Sequence, residues 1–120
     1  MGSEVLKERT KQFALDILKL VESLSNQKSQ NIIANQIVRS ATSVGANYRA
    51  ACRSRSDKEF VSKMNIVLEE ADEVVYWLEI IQEMKWIKEE ELKRLLKEAN
   101  ELVAIVVVSL KTINARLNKS

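Results

Sequence analysis

Residues 56–84, SDKEFVSKMNIVLEEADEVVYWLEIIQEM, combine a helix start with a long apolar repeat of helical period. Ser56 and Glu59 have the spacing of a capping box, in which the two side chains satisfy free backbone amides at the start of a helix. Apolar residues then recur at alternating intervals of four and three, which buries one side of a helix against its neighbours. They are Phe60, Met64, Val67, Ala71, Val74, Leu78 and Ile81. The stretch therefore predicts one amphipathic helix over residues 57–84.

Three further segments, over residues 4–24, 30–52 and 89–117, show the same one-sided pattern between short polar breaks. In the last of them the predicted core stripe is Leu92, Leu96, Ala99, Val103, Val106, Leu110, Ile113 and Leu117. Short connections between long helices make consecutive helices antiparallel neighbours. We therefore expect an all-α fold, an antiparallel up-down-up-down four-helix bundle formed as a single domain by residues 1–120.

The composition supports this fold and argues against several functional classes. The chain has 120 residues, no proline and two glycines, so a sheet with tight hairpins is not expected. Histidine is absent and Cys52 is the only cysteine, which removes the commonest general base, the commonest zinc ligand and any internal disulfide. We expect Cys52 to be a small filler near the core edge, and the protein to be non-enzymatic, without metal or cofactor. With no membrane span or leader evident, a cytoplasmic location fits.

The second segment has an unusual surface, because residues 38–56, VRSATSVGANYRAACRSRS, are rich in hydroxyl side chains and arginine. Its core strip is Ile33, Ile37, Ala41, Val44, Tyr48 and Ala51. A neighbouring strip is small or neutral polar: Gln36, Ser40, Ser43, Asn47 and Ala50. Together with Gly45, small side chains of this kind let another helix approach closely.

Basic residues lie roughly opposite that core strip and continue into the following turn. Arg39, Arg49 and Arg53 share one helix face, and Arg55 and Lys58 follow before the third helix. A solvated face is one interpretation of this arrangement. The other is a surface for nucleic acid or a carboxylate-bearing partner, since arginine forms bidentate contacts with phosphate and carboxylate. These five residues are the candidate binding surface.

The third segment carries two further strips. The acidic strip is Glu69, Asp72, Tyr76, Glu79 and Glu83, and the second apolar strip is Ile66, Glu73, Trp77, Ile80 and Met84. Residues 39–63 hold six basic and two acidic residues, whereas residues 64–84 hold six acidic residues and no basic one. The second strip, and an apolar run at residues 103–108, exceed what a lone bundle readily buries. We therefore expect a homo-oligomer in which the acidic strip of one copy faces the arginines of another. The candidate interface residues are Ser40, Ser43, Asn47, Ile66, Trp77, Ile80 and Met84.

Residues 39–81, RSATSVGANYRAACRSRSDKEFVSKMNIVLEEADEVVYWLEII, resemble bacterial four-helix bundle proteins related to the 23S rRNA intervening-sequence protein. The likeness extends to KERTKQFALDILKLVESL before this stretch and LLKEANELVAI after it. Its most specific part is the pattern formed by Arg39, Ser40, Ser43 and Asn47, followed by an Arg-Ser corner and the EADE and YWLE segments.

The resemblance implies a homopentamer of antiparallel bundles without known catalytic activity. Similar proteins are accessory factors of diversity-generating retroelements, in which a basic pentamer engages the reverse transcriptase and nucleic acid. The leading hypothesis is thus an oligomeric helical scaffold, an accessory protein that contacts RNA or a nucleic-acid-processing protein. The alternative is a protein–protein interaction adaptor that binds no nucleic acid.

Overall fold

Four α-helices make up the architecture, close to where the apolar patterns predict them. The computed structural model describes residues 2–119. The helices are α1 (Ser3–Val21), α2 (Lys28–Cys52), α3 (Asp57–Met84) and α4 (Glu89–Asn118). They pack as an elongated antiparallel bundle of 52 × 22 × 20 Å, which confirms the predicted all-α fold. The expectation of one domain over residues 1–120 includes Met1 and Ser120, which lie outside the described residues.

The two ends of α3 are set by local chemistry. At its start the Ser56 hydroxyl oxygen accepts a hydrogen bond from the Glu59 amide at 3.1 Å, as the capping box predicts. The Glu59 carboxylate accepts from the amide of Arg55 at 3.3 Å, one residue before the cap. At the other end Lys85 takes a left-handed conformation with φ 58°, which costs about 1 kcal/mol for a residue with a Cβ. This conformation ends α3 and turns the chain toward α4.

The loop between α1 and α2 differs from the prediction, because α1 ends three residues earlier and α2 begins two residues earlier than expected. The Gln30 side chain accepts from the Ser25 amide at 2.7 Å. The Asn31 side chain donates to the Asn26 side chain at 2.8 Å. These bonds fold the loop onto the first turn of α2, so that turn is helical although its sequence is polar.

Apolar side chains from all four helices fill one continuous core. The predicted stripe of α4 is wrong at three positions, because Leu96, Val103 and Leu117 are only half-buried. Leu95 and Leu102 are fully buried in place of Leu96 and Val103. Each pair offers two apolar residues about 100° apart, so the neighbouring helices decide which one faces inward. Within residues 2–119, no helix has an apolar stretch of the length that crossing a bilayer requires.

The closest approach of α1 to α2 occurs at Gly45. Thr10, on the buried stripe of α1, is only 2% exposed, and its hydroxyl donates to the Leu6 carbonyl at 2.9 Å. A Cβ placed on Gly45 would lie 3.3 Å from that hydroxyl oxygen. The absence of a side chain at this position therefore lets the two helices pack with the threonine between them, which agrees with the role predicted for Gly45.

The four lines of contact between neighbouring helices, here called seams, are not equivalent. The α1/α2, α2/α3 and α3/α4 seams are closely packed, whereas far fewer residues of α1 and α4 approach each other closely. Long polar side chains bridge this α1/α4 seam. Arg9 donates two hydrogen bonds of 2.7 Å to Glu98 and one of 3.0 Å to Glu101, and Arg94 donates to Asp16 at 3.3 Å. One seam of the bundle is therefore closed mainly by ion pairs.

Candidate binding surface at the corner between α2 and α3

The turn between α2 and α3 presents a group of cations. It is held by short-range backbone bonds from Arg53 to the Ala50 carbonyl at 3.1 Å and from Ser54 to the Ala51 carbonyl at 3.0 Å. The exposed basic side chains around this turn, here called the cationic corner, are Arg49, Arg53, Arg55 and Lys58. Their backbone positions are fixed by two long helices, so the charges are displayed on a rigid support.

The arginines of this corner differ from the other arginines in their ion pairing. Four of the seven arginines have an acidic partner in their own chain: Arg9, Arg39, Arg94 and Arg116. The other three are Arg49, Arg53 and Arg55, and within residues 2–119 none of them forms an ion pair. The unpaired arginines therefore lie next to one another, and their charge is available to a partner.

Arg39 was expected to belong to the same surface, but the structure separates it from the corner. It lies ten residues before Arg49 on α2, which corresponds to about 15 Å along a helix. Its guanidinium donates to Glu73 at 2.6 Å and to Glu70 at 3.3 Å, both on α3. Its charge is thus largely satisfied across the α2/α3 seam, although its side chain is 56% exposed.

Three of the predicted interface residues lie on α2 and four lie on α3. Ser40 is completely buried, so it cannot contact a second chain unless the α2/α3 seam opens. Asn47 donates to the Ser43 hydroxyl at 2.8 Å within α2. Trp77 is half-buried against the core, and its indole nitrogen donates to Glu73 at 3.1 Å.

The second apolar strip is therefore partly covered by the chain's own α2. Of its members, Ile80 is half-buried, and Ile66 and Met84 remain 37% and 55% exposed. The sequence did not indicate which helix the small residues of α2 allow to approach closely. In the structure they make room for α3 of the same chain. Ile66 and Met84 remain the apolar residues of the strip that a second chain can reach.

An open cleft of about 640 Å³ lies beside the corner at the same end of the bundle. Tyr48 and Cys52 line it from α2, and Val108 lines it from α4. Burial, followed by the hydrogen bond with the Cys52 thiol, raises the pKa of Tyr48 above its usual range. Cys52 is half-buried at the edge of the core, where the sequence places it. Among residues 2–119, no group of three His, Cys, Asp or Glu side chains is arranged to hold a metal ion.

The sequence interpretation did not include two further cations near the corner. Lys7 and Lys11 of α1 lie beside Arg49 of α2, on either side of a shallow groove along the α1/α2 seam. Their spacing of four residues on one helix and the glycine opposite them were visible in the sequence. Only the packing of α1 on α2 shows that they adjoin Arg49.

Fold and surface together define a class of protein: a small antiparallel four-helix bundle with an exposed cationic corner. The family model described as 23S rRNA-intervening sequence protein matches residues 4–107, and the chain belongs to this family, as the resemblance of residues 39–81 predicted. It is similar to a crystal structure of a protein of unknown function from the S23 ribosomal protein family of Bacteroides thetaiotaomicron, with a TM-score of 0.84 and 33% identity. That match covers 92% of this chain and 99% of the other. No curated protein matches the chain.

Proposed function

We propose that the protein is a non-enzymatic accessory protein of the cytoplasm that binds RNA, or a particle containing RNA, through the cationic corner. The observation that carries this proposal is the grouping of Arg49, Arg53 and Arg55, which have no acidic partner in the described part of the chain, while the other arginines have one. Membership of a family described by its relation to ribosomal RNA supports the same function.

The chemistry of the corner favours the RNA backbone over the bases. Guanidinium groups form bidentate hydrogen bonds with phosphate oxygens, and each neutralised phosphate releases condensed counterions. Reading of single-stranded bases instead requires exposed aromatic side chains for stacking. The aromatic residues near the corner do not offer this, because Tyr48 is only 7% exposed and Phe60 is half-buried against the core. Binding through the corner is therefore expected to depend weakly on sequence.

The experiment that tests this proposal is fluorescence anisotropy with a labelled single-stranded RNA of about 20 nucleotides, long enough to span the corner. The variant Arg53→Gln/Arg55→Gln should bind about tenfold more weakly at 0.1 M salt, since each lost phosphate contact lowers the salt slope by about 0.7. The control is Lys97→Gln/Lys111→Gln, which removes the same charge from exposed positions on α4. Equal losses in both variants, or no binding by the unsubstituted protein at 50 mM salt, would contradict the proposal.

A second candidate function, a protein–protein adaptor without nucleic-acid binding, is favoured by the outer face of α3. The acids of the acidic strip are Glu69, Asp72, Glu79 and Glu83, all exposed and, within residues 2–119, without ion pairs. Its charge is opposite to that of the corner, so two copies of the chain could dock acid strip to corner. Self-association, with five copies as the resemblance implies, belongs to this second candidate function, because an acidic strip docked on the corner would occupy the arginines that RNA binding requires.

A further inference from the structure

The groove along the α1/α2 seam has a floor without large side chains. Its volume is about 240 Å³, and its floor is formed by Thr42, Gly45 and Ala46 of α2. Gly45 has no side chain to fill it, and Ala46 contributes only a methyl group. The groove therefore follows from the close packing at Thr10 that Gly45 permits.

The walls of this groove are basic. Lys7 and Lys11 stand on the α1 side and Arg49 on the α2 side, and none of the described residues that line the groove is acidic. Within residues 2–119, the one ion pair made by these three cations joins Lys7 to Glu4 at 3.1 Å, where the Glu4 side chain is 85% exposed. Such an exposed pair contributes little and is readily exchanged. Three cations around a narrow concave surface concentrate positive potential where an anion can enter.

We propose that this groove binds the phosphodiester backbone of the RNA, continuing the track of the cationic corner onto α1. The inference rests on the proposed function and adds Lys7 and Lys11 to its surface. Arg49 belongs to both features, since it faces the groove on α2 and lies one helical turn before Arg53. A bound strand would therefore run from Lys11, past Lys7 and Arg49, to Arg53 and Arg55.

The shape and lining of the groove favour the RNA backbone over the bases. Its lining contains no aromatic side chain, so it offers no stacking platform for a base. Its volume of about 240 Å³ is below the roughly 300 Å³ at which pockets for drug-sized ligands begin. Phosphate groups fit this groove, because they bind to cations, do not stack on aromatic side chains and do not require a deep pocket. The contact should therefore be independent of base sequence.

Two variants test the groove without changing the corner. Lys7→Gln/Lys11→Gln removes its α1 cations, and Ala46→Glu places a carboxylate on its floor. The controls are Lys97→Gln/Lys111→Gln, for equal charge, and Ala104→Glu, which puts the same side chain at an exposed alanine of α4. All substituted positions except Lys7 are exposed and all lie within helices, so far-UV circular dichroism should confirm that each variant keeps its helix content.

With the same labelled RNA, each groove variant should bind about tenfold more weakly than its control at 0.1 M salt, and Lys7→Gln/Lys11→Gln should lower the salt slope by about 1.4. A homopolymer and a mixed sequence should be affected equally. Groove variants that bind like their controls while Arg53→Gln/Arg55→Gln is impaired would overturn this inference and leave the proposed function standing. Absence of binding by the unsubstituted protein would overturn both. Competition by millimolar inorganic phosphate at constant ionic strength would identify a site for free phosphate and overturn the assignment to RNA.

Discussion

Glu73 connects two helices through several hydrogen bonds. Its carboxylate accepts from Arg39 at 2.6 Å and from Trp77 at 3.1 Å. The Ser40 hydroxyl donates to the Gln36 carbonyl at 3.0 Å, and its position near the Glu73 carboxylate also favours the ionised acid. Burial alone would raise the pKa of Glu73, but the contacts of Trp77, Ser40 and Arg39 with the carboxylate outweigh burial and lower the pKa below 4.5.

Replacing this one carboxylate should have a pH-dependent effect on stability. Because the folded-state pKa is depressed, the stabilisation is present above pH 4.5 and is lost as the pH falls through the folded-state pKa. Glu73→Gln should therefore lower the free energy of unfolding by about 1 kcal/mol at pH 7, and the deficit should shrink as the pH falls below 4.5. Urea denaturation followed by circular dichroism measures both values. Glu69→Gln, an exposed acid on the same helix, should change neither, and a deficit independent of pH would contradict the prediction.

At the scale of the elements, the α1/α4 seam depends on ion pairs of unequal quality. The Arg9 side chain is 25% exposed and binds Glu98 through two parallel hydrogen bonds. Arg94 is 59% exposed and makes a single bond to Asp16 at 3.3 Å. A bidentate, partly buried pair is worth more than an exposed single contact. Loss of Arg9 also leaves Glu98 and Glu101 as neighbouring like charges on α4.

Substitution at this seam should reproduce that ranking. Arg9→Gln should lower the free energy of unfolding by about 1–2 kcal/mol, whereas Arg94→Gln should cost at most about 0.5 kcal/mol. In 1 M salt, where the screening length is about 3 Å, the cost of Arg94→Gln should vanish and that of Arg9→Gln should persist in part. Urea titrations at two salt concentrations measure all four values. Equal costs for the two substitutions would show that the seam is not held as described.

The helices themselves were predictable, and the reasons for the exceptions are physical. The four-three spacing from Phe60 to Ile81 and the capping box at Ser56 locate α3 correctly, because both signals are local. The choice of Leu95 over Leu96 was not predictable, since both are apolar and only the packing of α4 on its neighbours separates them. The corner was predictable as a run of basic residues. The ion pair between Arg39 and Glu73 was not predictable, because it depends on the register between α2 and α3.

At the scale of the whole molecule, exposed apolar and acidic surface favours association of identical chains. Tyr76 and Met84 on α3 are each 55% exposed, and Val108 on α4 is 62% exposed. Tyr76 and Met84 lie on α3, the helix that carries the acidic strip. Separated patches of this kind suit the joining of several copies around an axis, with charge fixing their relative orientation.

Charge reversal in the corner should break such an assembly. Arg49→Glu/Arg53→Glu would oppose the acidic strip of a neighbouring copy with like charge, so size-exclusion chromatography with light scattering should report a smaller particle. Lys97→Glu/Lys111→Glu, on α4, should leave the particle unchanged. A monomeric unsubstituted protein, or an assembly that tolerates the corner reversal, would reject docking of strip to corner.

The distribution of charge along the bundle affects how the protein approaches a charged partner. The corner lies at one end of a molecule 52 Å long, while Glu79 and Glu83 lie toward the other end, where α4 begins with residues 89–91, all glutamate. The positive charge of the corner is therefore offset along the molecule from these acidic residues, which gives the molecule a dipole moment along its length. In the field of a polyanion it should rotate as it diffuses and collide corner first. Added salt should then slow association far more than it hastens release.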